Sequence, residues 1–398
     1  MLNLTNRNPL NIISDSVSSR VGAFCDFVEF RSCNKCLMDT TDPDISFNNF
    51  GICIYCQSSK NWDFVRVNSN PKNQEIETLI HAIKKDNEQN DFDCLIGISG
   101  GVDSSYLALL AVEWGLNPLF VHIDAGWNTN IANENINNLL TALNKEIFTI
   151  VIDWTKVRST QIAFLRSGIA NQDIPQDYLF TQGIFQVARK FKIKSILSGS
   201  NMATESILPK QWGYDAQDPV HINAIHKKYL FGGESGIEVS NLLKSRINQK
   251  LSNAKLYRPL NLVPYSRNYA LETLNKFCGW QNYGPKHFES RWTRYFQGYY
   301  LPLRFGYDKR KPHLSSRIIS GELTLAAAYK EMEISKYSID NLAEDEKFIC
   351  SKLEITQSEF DEFKYLPLSH YSDFANLEKL KLSMISVRNL IKRNSQAN

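Results

Sequence analysis

The chain has 398 residues, 43% of them hydrophobic and 22% charged, with a net charge of +3 from 45 Lys and Arg against 42 Asp and Glu. That balance excludes wholesale disorder, which needs few apolar residues and a large net charge. Eight cysteines in this length are too dilute for a disulfide-stapled scaffold.

A sequence pI near 8.3 permits nucleic acid as a partner but does not favour it, since dedicated binders carry a stronger basic excess. Met1 to Ser19 is polar, with no basic start followed by an apolar run, and no stretch nears the ~20 apolar residues of a bilayer span. The expectation is a cytoplasmic chain without membrane contact. Composition shifts divide it into a tail (1–30), a cysteine knuckle (31–60), an α/β unit (61–235) and a mostly helical substrate or partner region (236–398).

In the knuckle, Cys33-x2-Cys36 and Cys53-x2-Cys56 stand sixteen residues apart. Each C-x2-C turn points two thiolates at one ion, and two such turns complete a tetrahedron, so the spacing predicts structural Zn2+. A site closed by four thiolates has no open position for catalysis.

Beyond it, Asn73 to Asp91 is helix-compatible, and Asp93 to Ile98 reads as the first strand. Ser105 to Glu113 follows as a buried helix, Leu119 to Ile123 and Glu146 to Ile152 as strands with the helix Asn130 to Leu143 between them. Tyr178 to Phe191 reads as a helix and Ser195 to Ser198 as a fourth strand. This alternation predicts βαβ units and a parallel sheet flanked by helices, with ligands at the carboxyl ends of the strands.

Between the first strand and its helix lies Ser99-Gly-Gly-Val-Asp-Ser104. Its glycines let the backbone approach an anion, and the helix start supplies amide donors and partial positive charge. A Walker A lysine is absent, which argues against kinase or GTPase chemistry. The pattern S-G-G-x-D-S after a first strand resembles the PP-loop ATP pyrophosphatases. That resemblance implies that Ser99, Gly100, Gly101, Asp103 and Ser104 grip the pyrophosphate end of ATP, with Asp103 beside Mg2+ and Val102 and Ser105 completing the loop. It also puts adenine against Val121 to Asp124, including His122 and Ile123, and nucleotide or metal contacts at Gly199 and Asn201. Asp124 and Asn201 read equally well as caps of the helices that follow them.

From Lys286 to Arg317 eight Lys or Arg face only Glu289 and Asp308, interleaved with Trp292, Tyr295, Phe296 and Tyr299. Two readings stand side by side: a solvated helix face, or a surface for a nucleotide-linked substrate, with Arg for phosphate and aromatic rings for stacking.

Several blocks together resemble the N-acetyl sugar amidotransferases, a PP-loop branch of surface-polysaccharide and flagellin-sugar biosynthesis. They are Cys33 to Asp44, Gly51 to Cys56, the phosphate loop, His122 to Asn128, Tyr283 to Arg294 and Phe305 to Ser316. The resemblance implies conversion of an acetamido into an acetamidino group: adenylation of the amide oxygen, attack by ammonia, and release of AMP and pyrophosphate. It assigns catalysis to Asp103, Lys286, His287 and Arg294, and contact with an acetamido sugar, free or nucleotide-linked, to Trp127, Asn128, Glu289, Arg291, Lys309, Arg310 and Lys311. His287 is either a proton carrier or merely hydrogen-bonded. No cysteine sits as a glutaminase nucleophile would, so ammonia is expected from a separate glutaminase of the histidine-biosynthesis type with its cyclase-like partner. The competing expectations are a tRNA-thiolating PP-loop enzyme, with Cys94 as its sulfur carrier, and a non-catalytic zinc-ribbon scaffold that binds nucleotide.

Overall fold

The computed structural model describes residues 29–239, 253–334 and 337–378; most of the expected N-terminal tail lies outside them. Five parallel strands form one sheet in the order β3-β2-β1-β4-β5: β1 Cys94–Gly97, β2 Pro118–Asp124, β3 Ile147–Val151, β4 Ser195–Leu197 and β5 Lys255–Tyr257. The main helices are α1 Asn73–Asp86, α2 Val102–Glu113, α3 Asn130–Leu143, α4 Trp154–Ser167, α5 Ile174–Lys190, α6 Pro219–Tyr229, α7 Arg267–Cys278, α8 Arg310–Ser320 and α9 Ile339–Leu353.

Strand alternation sorts side chains to two faces. Cys94, Ile96 and Phe120 pack with Leu107 and Leu109 of α2, Leu139 of α3 and the cysteine knuckle. Leu95, Leu119, Val121 and Ile123 pack instead with Val187 and Ala188 of α5. A separate aromatic core, with Trp127, Trp292, Tyr295, Tyr300 and Phe305, joins the loop after β2 to the C-terminal part.

The expected parallel sheet flanked by helices, with an N-terminal knuckle and a helical C-terminal part, is what the chain forms. Among the details that differ, α5 begins at Ile174 and not at Tyr178, and α1 ends at Asp86. α2 begins at Val102, directly at the phosphate loop, and not at Ser105. α4 was absent from the reading because polar Thr, Lys, Arg and Gln residues interrupt its apolar face. β5 lies beyond residue 235 yet pairs with β4, Ile196 opposite Leu256; three residues are too short to show a period. Among the described residues no helix is long and apolar enough to cross a membrane.

Candidate active site at the switch point of the sheet

β1 is flanked by β2 on one side and β4 on the other, so the connections leaving β1 and β4 diverge and open a crevice at their carboxyl ends. The phosphate loop forms one lip. Gly100 has φ +81° and passes so close to α3 that a Cβ there would lie 2.6 Å from the Ala132 carbonyl oxygen. Gly101 precedes α2 without offering a side-chain cap, which leaves the positive end of the helix for an anion. Gly199, leaving β4, forms the other lip; a Cβ there would be 2.8 Å from the Ser104 amide nitrogen.

A chain of alternating charge runs from this loop into the C-terminal part. Asp103 accepts hydrogen bonds from the Tyr265 hydroxyl and from Lys286. Lys286 also donates to Thr204 Oγ1 at 2.9 Å and lies 3.3 Å from Glu205 Oε1, which is 3.3 Å from His287 Nε2. Burial alone would raise the Glu205 carboxyl and lower Lys286 and His287. Opposite charge wins in each case: Glu205 is held below the ordinary carboxylate range, and Lys286 and His287 above their ordinary values. Neighbouring His313 goes the other way, pushed well down by burial and by the charges of His287 and Lys286. His287 adopts φ +67°, a left-handed conformation unusual for a residue with a Cβ. Tyr265 and Lys286 each engage one Asp103 oxygen, and each oxygen keeps a further lone pair.

The crevice deepens into a cavity of about 470 Å³ between the ends of β1 and β2, the first turns of α5, and residues 287–297. His122 Nδ1 donates to the Ile98 carbonyl at 2.8 Å, which leaves Nε2 as an acceptor facing Asn128. Asn128 pairs with Ser290 in a single antiparallel bridge, secured by Thr129 N to Glu289 O (2.8 Å) and Arg291 N to Trp127 O (2.7 Å). That bridge places Glu289 against the phosphate loop, its Oε2 buried without a hydrogen-bond partner. On the far wall, Asp173 accepts from Gln176 at 2.8 Å and from Gln297 at 3.2 Å, and Asp177 faces the cavity one turn along α5. Gln297 belongs to a π-helical turn, Phe296–Tyr300, set between the helical turns Arg291–Tyr295 and Leu301–Phe305; that turn aims it inward.

Of the residues expected at a site, Ser99, His122, Ile123, Trp127, Asn128, His287 and Glu289 line this cavity. Lys286, Lys309 and Arg310 line a smaller neighbouring one. Gly100, Gly101, Val102, Asp103 and Ser104 form its loop lip, whereas Ser105 is buried and accepts from the Trp280 indole. Asn201 caps the short helix Met202–Glu205 through Thr204 N, and Asp124 closes a turn onto Gly126 N at 2.6 Å instead of capping α3, which Thr129 caps.

Much of the cationic block is engaged inside the protein. Arg294 makes two bonds, 2.7 and 2.6 Å, to the fully buried Asp345. Arg310 pairs with Asp308, Lys311 with the buried Asp39 of the knuckle at 2.5 Å, and the Arg291 guanidinium lies over Phe348. Of these, the Lys311 to Asp39 pair ties the C-terminal part to the knuckle, and Lys286, Lys309, Arg310 and Arg317 of the block line the smaller cavity.

Glu205, Asp173, Asp177, Gln176 and Gln297 went unread at the sequence level. Each is a single polar residue in or beside a helix, and only the position of Glu205, four residues after Asn201 at a strand exit, could have drawn attention.

The four knuckle sulfurs are buried and lie within 4.8 Å of one another. A tetrahedral ion with bonds of about 2.3 Å needs sulfurs about 3.8 Å apart; Cys36 and Cys53 are 3.7 Å apart. Backbone amides of Lys35 and Cys53 donate to Cys33 Sγ at 3.3 Å, stabilising a thiolate. The donor set fits Zn2+. Cys94, by contrast, is fully buried at the opposite end of β1 from the phosphate loop, and burial pushes its thiol up, the reverse of what a sulfur carrier needs.

With this geometry in place, residues 289–387 match the family described as LPS biosynthesis protein WbpG-like, C-terminal domain. The similarity covers this C-terminal segment. The match starts at Glu289, on the cavity wall, and takes in the Arg294 to Asp345 pairing. No curated protein matches the sequence. Solved structures similar to the chain include NMN synthetase from Francisella tularensis (15% identity, 75% of this chain and 98% of that one, TM-score 0.33). NH3-dependent NAD synthetase from Campylobacter jejuni has 11% identity over 75% of this chain and 98% of that one, TM-score 0.31. U34-tRNA thiolase NcsA from Methanococcus maripaludis has 15% identity, 74% and 81% coverage, and TM-score 0.30. Scores this low carry no weight for activity, and the fold stands on its own strand order.

Proposed function

We propose that this WbpG-like chain is an ATP-dependent amidotransferase that converts the acetamido group of a surface sugar into an acetamidino group. One observation carries the reading: the phosphate loop and the start of the WbpG-like segment face each other across a single cavity. An amide oxygen is a poor leaving group, so it attacks the α-phosphorus of ATP and pyrophosphate departs. Ammonia then adds to the carbon of the O-adenylated imidate, and AMP leaves with the former amide oxygen. The start of α2 and Lys286 stand where the pyrophosphate end would lie. Val121, His122 and Ile123, opposed by Phe180 and Ile184, offer a flat and mostly apolar slot for adenine. Zn2+ in the knuckle is structural in this reading; its thiolates fold residues 33–56 and, through Asp39 and Lys311, brace α8. Ammonia comes from a separate glutaminase subunit.

The test is a panel of acetamido sugars, free and nucleotide-linked, with ATP, Mg2+ and an ammonium salt. AMP with pyrophosphate, and a sugar whose oxygen has been exchanged for NH by mass spectrometry, is the expected outcome. ADP with orthophosphate, or ATP binding without turnover for any sugar, would overturn it. Glutamine should not replace ammonium for the isolated chain.

A further inference from the structure

The proposed reaction leaves one proton without an acceptor. When ammonia adds to the imidate carbon, the C–N bond forms at the expense of the C=N bond, and the new nitrogen carries a positive charge. It must lose one proton before its lone pair can expel AMP by breaking the C–O bond. The charge chain at the phosphate loop cannot take that proton: Lys286 and His287 are cations held by Asp103 and Glu205.

The opposite wall is built differently. Asp173 and Asp177 stand one helical turn apart at the start of α5 and face the same cavity as Ser99, His122 and Glu289. Asp173 is buried and receives the amides of Gln176 and Gln297 and, at 3.5 Å, the Thr293 hydroxyl, donors from two separate elements. Such a carboxylate is fixed in place by its donors. Asp177 opens onto the cavity, and no side-chain hydrogen bond ties it down among the described residues.

We infer that Asp177 is the catalytic base of the amination step, receiving ammonia in the cavity and taking the proton released as the C–N bond forms, with Asp173 as the positioning residue behind it. This rests on the amidotransferase reading. The electrostatics agree. Asp177 is exposed to the cavity, and the protein lining that cavity pushes its carboxyl up to about 8, with the Asp173 charge adding to the effect. Burial raises Asp173 to about 6 against its hydrogen bonds. The charged groups facing the pair are His287 and Lys309, both of which lower it, and Glu205 and Glu289 line the same space. A carboxylate with an affinity for protons near neutrality is the strength of base this step needs.

The experiment separates the half-reactions in the full chain, using the acetamido sugar that supports AMP release by the wild type. Sugar-dependent exchange of labelled pyrophosphate into ATP reads adenylation alone. In Asp177→Asn that exchange should persist within a few-fold, while ammonia-dependent product formation falls by about 100-fold or more, the share of a general base. Hydroxylamine, a nucleophile uncharged at neutral pH whose adduct sheds its proton readily, should narrow the deficit to less than about tenfold. In the wild type, amination at constant free ammonia, but not exchange, should rise with pH as the pair loses its proton between about 6 and 8. Carboxyl NMR of aspartate-labelled protein should show a resonance titrating in that range, absent from Asp177→Asn. Full amination by Asp177→Asn, or equal loss of both half-reactions with unchanged folding and no hydroxylamine rescue, would overturn the inference alone. Absence of exchange in the wild type with every sugar would overturn the amidotransferase reading, and the inference with it.

Discussion

Three glycines frame the crevice, and adding one methyl group to each should have three different costs. At Gly100 the new Cβ would lie 2.6 Å from the Ala132 carbonyl oxygen and 3.0 Å from its carbon, and the residue would keep φ +81°. A left-handed residue with a side chain costs about 1–2 kcal/mol and overpacking against backbone about 1–3 kcal/mol, together about 2–5 kcal/mol. At Gly199 the clash is again with backbone, 2.8 Å from the Asp103 carbonyl carbon and the Ser104 nitrogen, but φ is ordinary, so only the overpacking cost of about 1–3 kcal/mol applies. At Gly101 the nearest atoms are Glu289 Oε1 at 2.7 Å and Ser99 Oγ at 3.1 Å. These are side-chain ends that can rotate away for about 1 kcal/mol. Urea unfolding of the three alanine variants reads the difference. At a slope of about 3 kcal/mol per molar urea, Gly100→Ala should shift the midpoint by about 1 M and Gly101→Ala by about 0.3 M. Gly101→Ala should nevertheless displace Glu289 from the loop. A Gly101→Ala shift as large as that of Gly100→Ala would refute the claim that the loop is pinned by α3 and not by the C-terminal segment.

The remaining expectations concern the knuckle, the ion pairs and the lone core cysteine. The wild type should hold one zinc per chain by metal analysis, and Cys36→Ser should lose it along with part of its thermal stability; retained stability without metal would refute the structural role. Lys311→Met strands the buried Asp39 carboxylate and should cost about 3–5 kcal/mol, most of it recovered in the double variant with Asp39→Asn, as read by denaturant midpoints. Cys94→Ala should lose about 1 kcal/mol for its small cavity yet keep turnover, and a loss of turnover in correctly folded protein would return the thiolation reading to consideration.

Much of the sheet was legible because its strands are short apolar runs closed by turn residues, and β1 to β4 fall within one or two residues of the reading. β5 was not, since Lys255–Tyr257 owes its place to pairing with β4 and not to a pattern of its own. The cysteine turns and the phosphate loop were legible for the same local reason: each carries its chemistry within a few consecutive residues. In the cationic block the charge was visible and its partners were not. Asp39 stands 272 residues from Lys311 and Asp345 stands 51 from Arg294, so nothing local announces that these cations are spent inside the protein. Asp173 and Asp177 were hidden differently. Acids in the first turn of a helix are ordinary, and only the folding of α5 across the mouth of the sheet turns them toward a cavity.

Spending most of its cations on internal carboxylates gives the cavity a direction. Near the loop, the helix start, Lys286 and His287 favour negative charge; along α5, two carboxylates favour positive charge. The two substrates of the proposed reaction differ in that sense. ATP brings its phosphates to one end, whereas the acetamido group begins neutral and ends as an amidinium, a cation. A uniformly basic cavity would bind nucleotide well and oppose the charge that develops during amination. A wall of carboxylates a few side chains away stabilises that charge as it forms, and it does so only if the arginines nearby are neutralised first. The pairings Arg294 to Asp345 and Arg310 to Asp308 engage two of the block's arginines with carboxylates inside the protein.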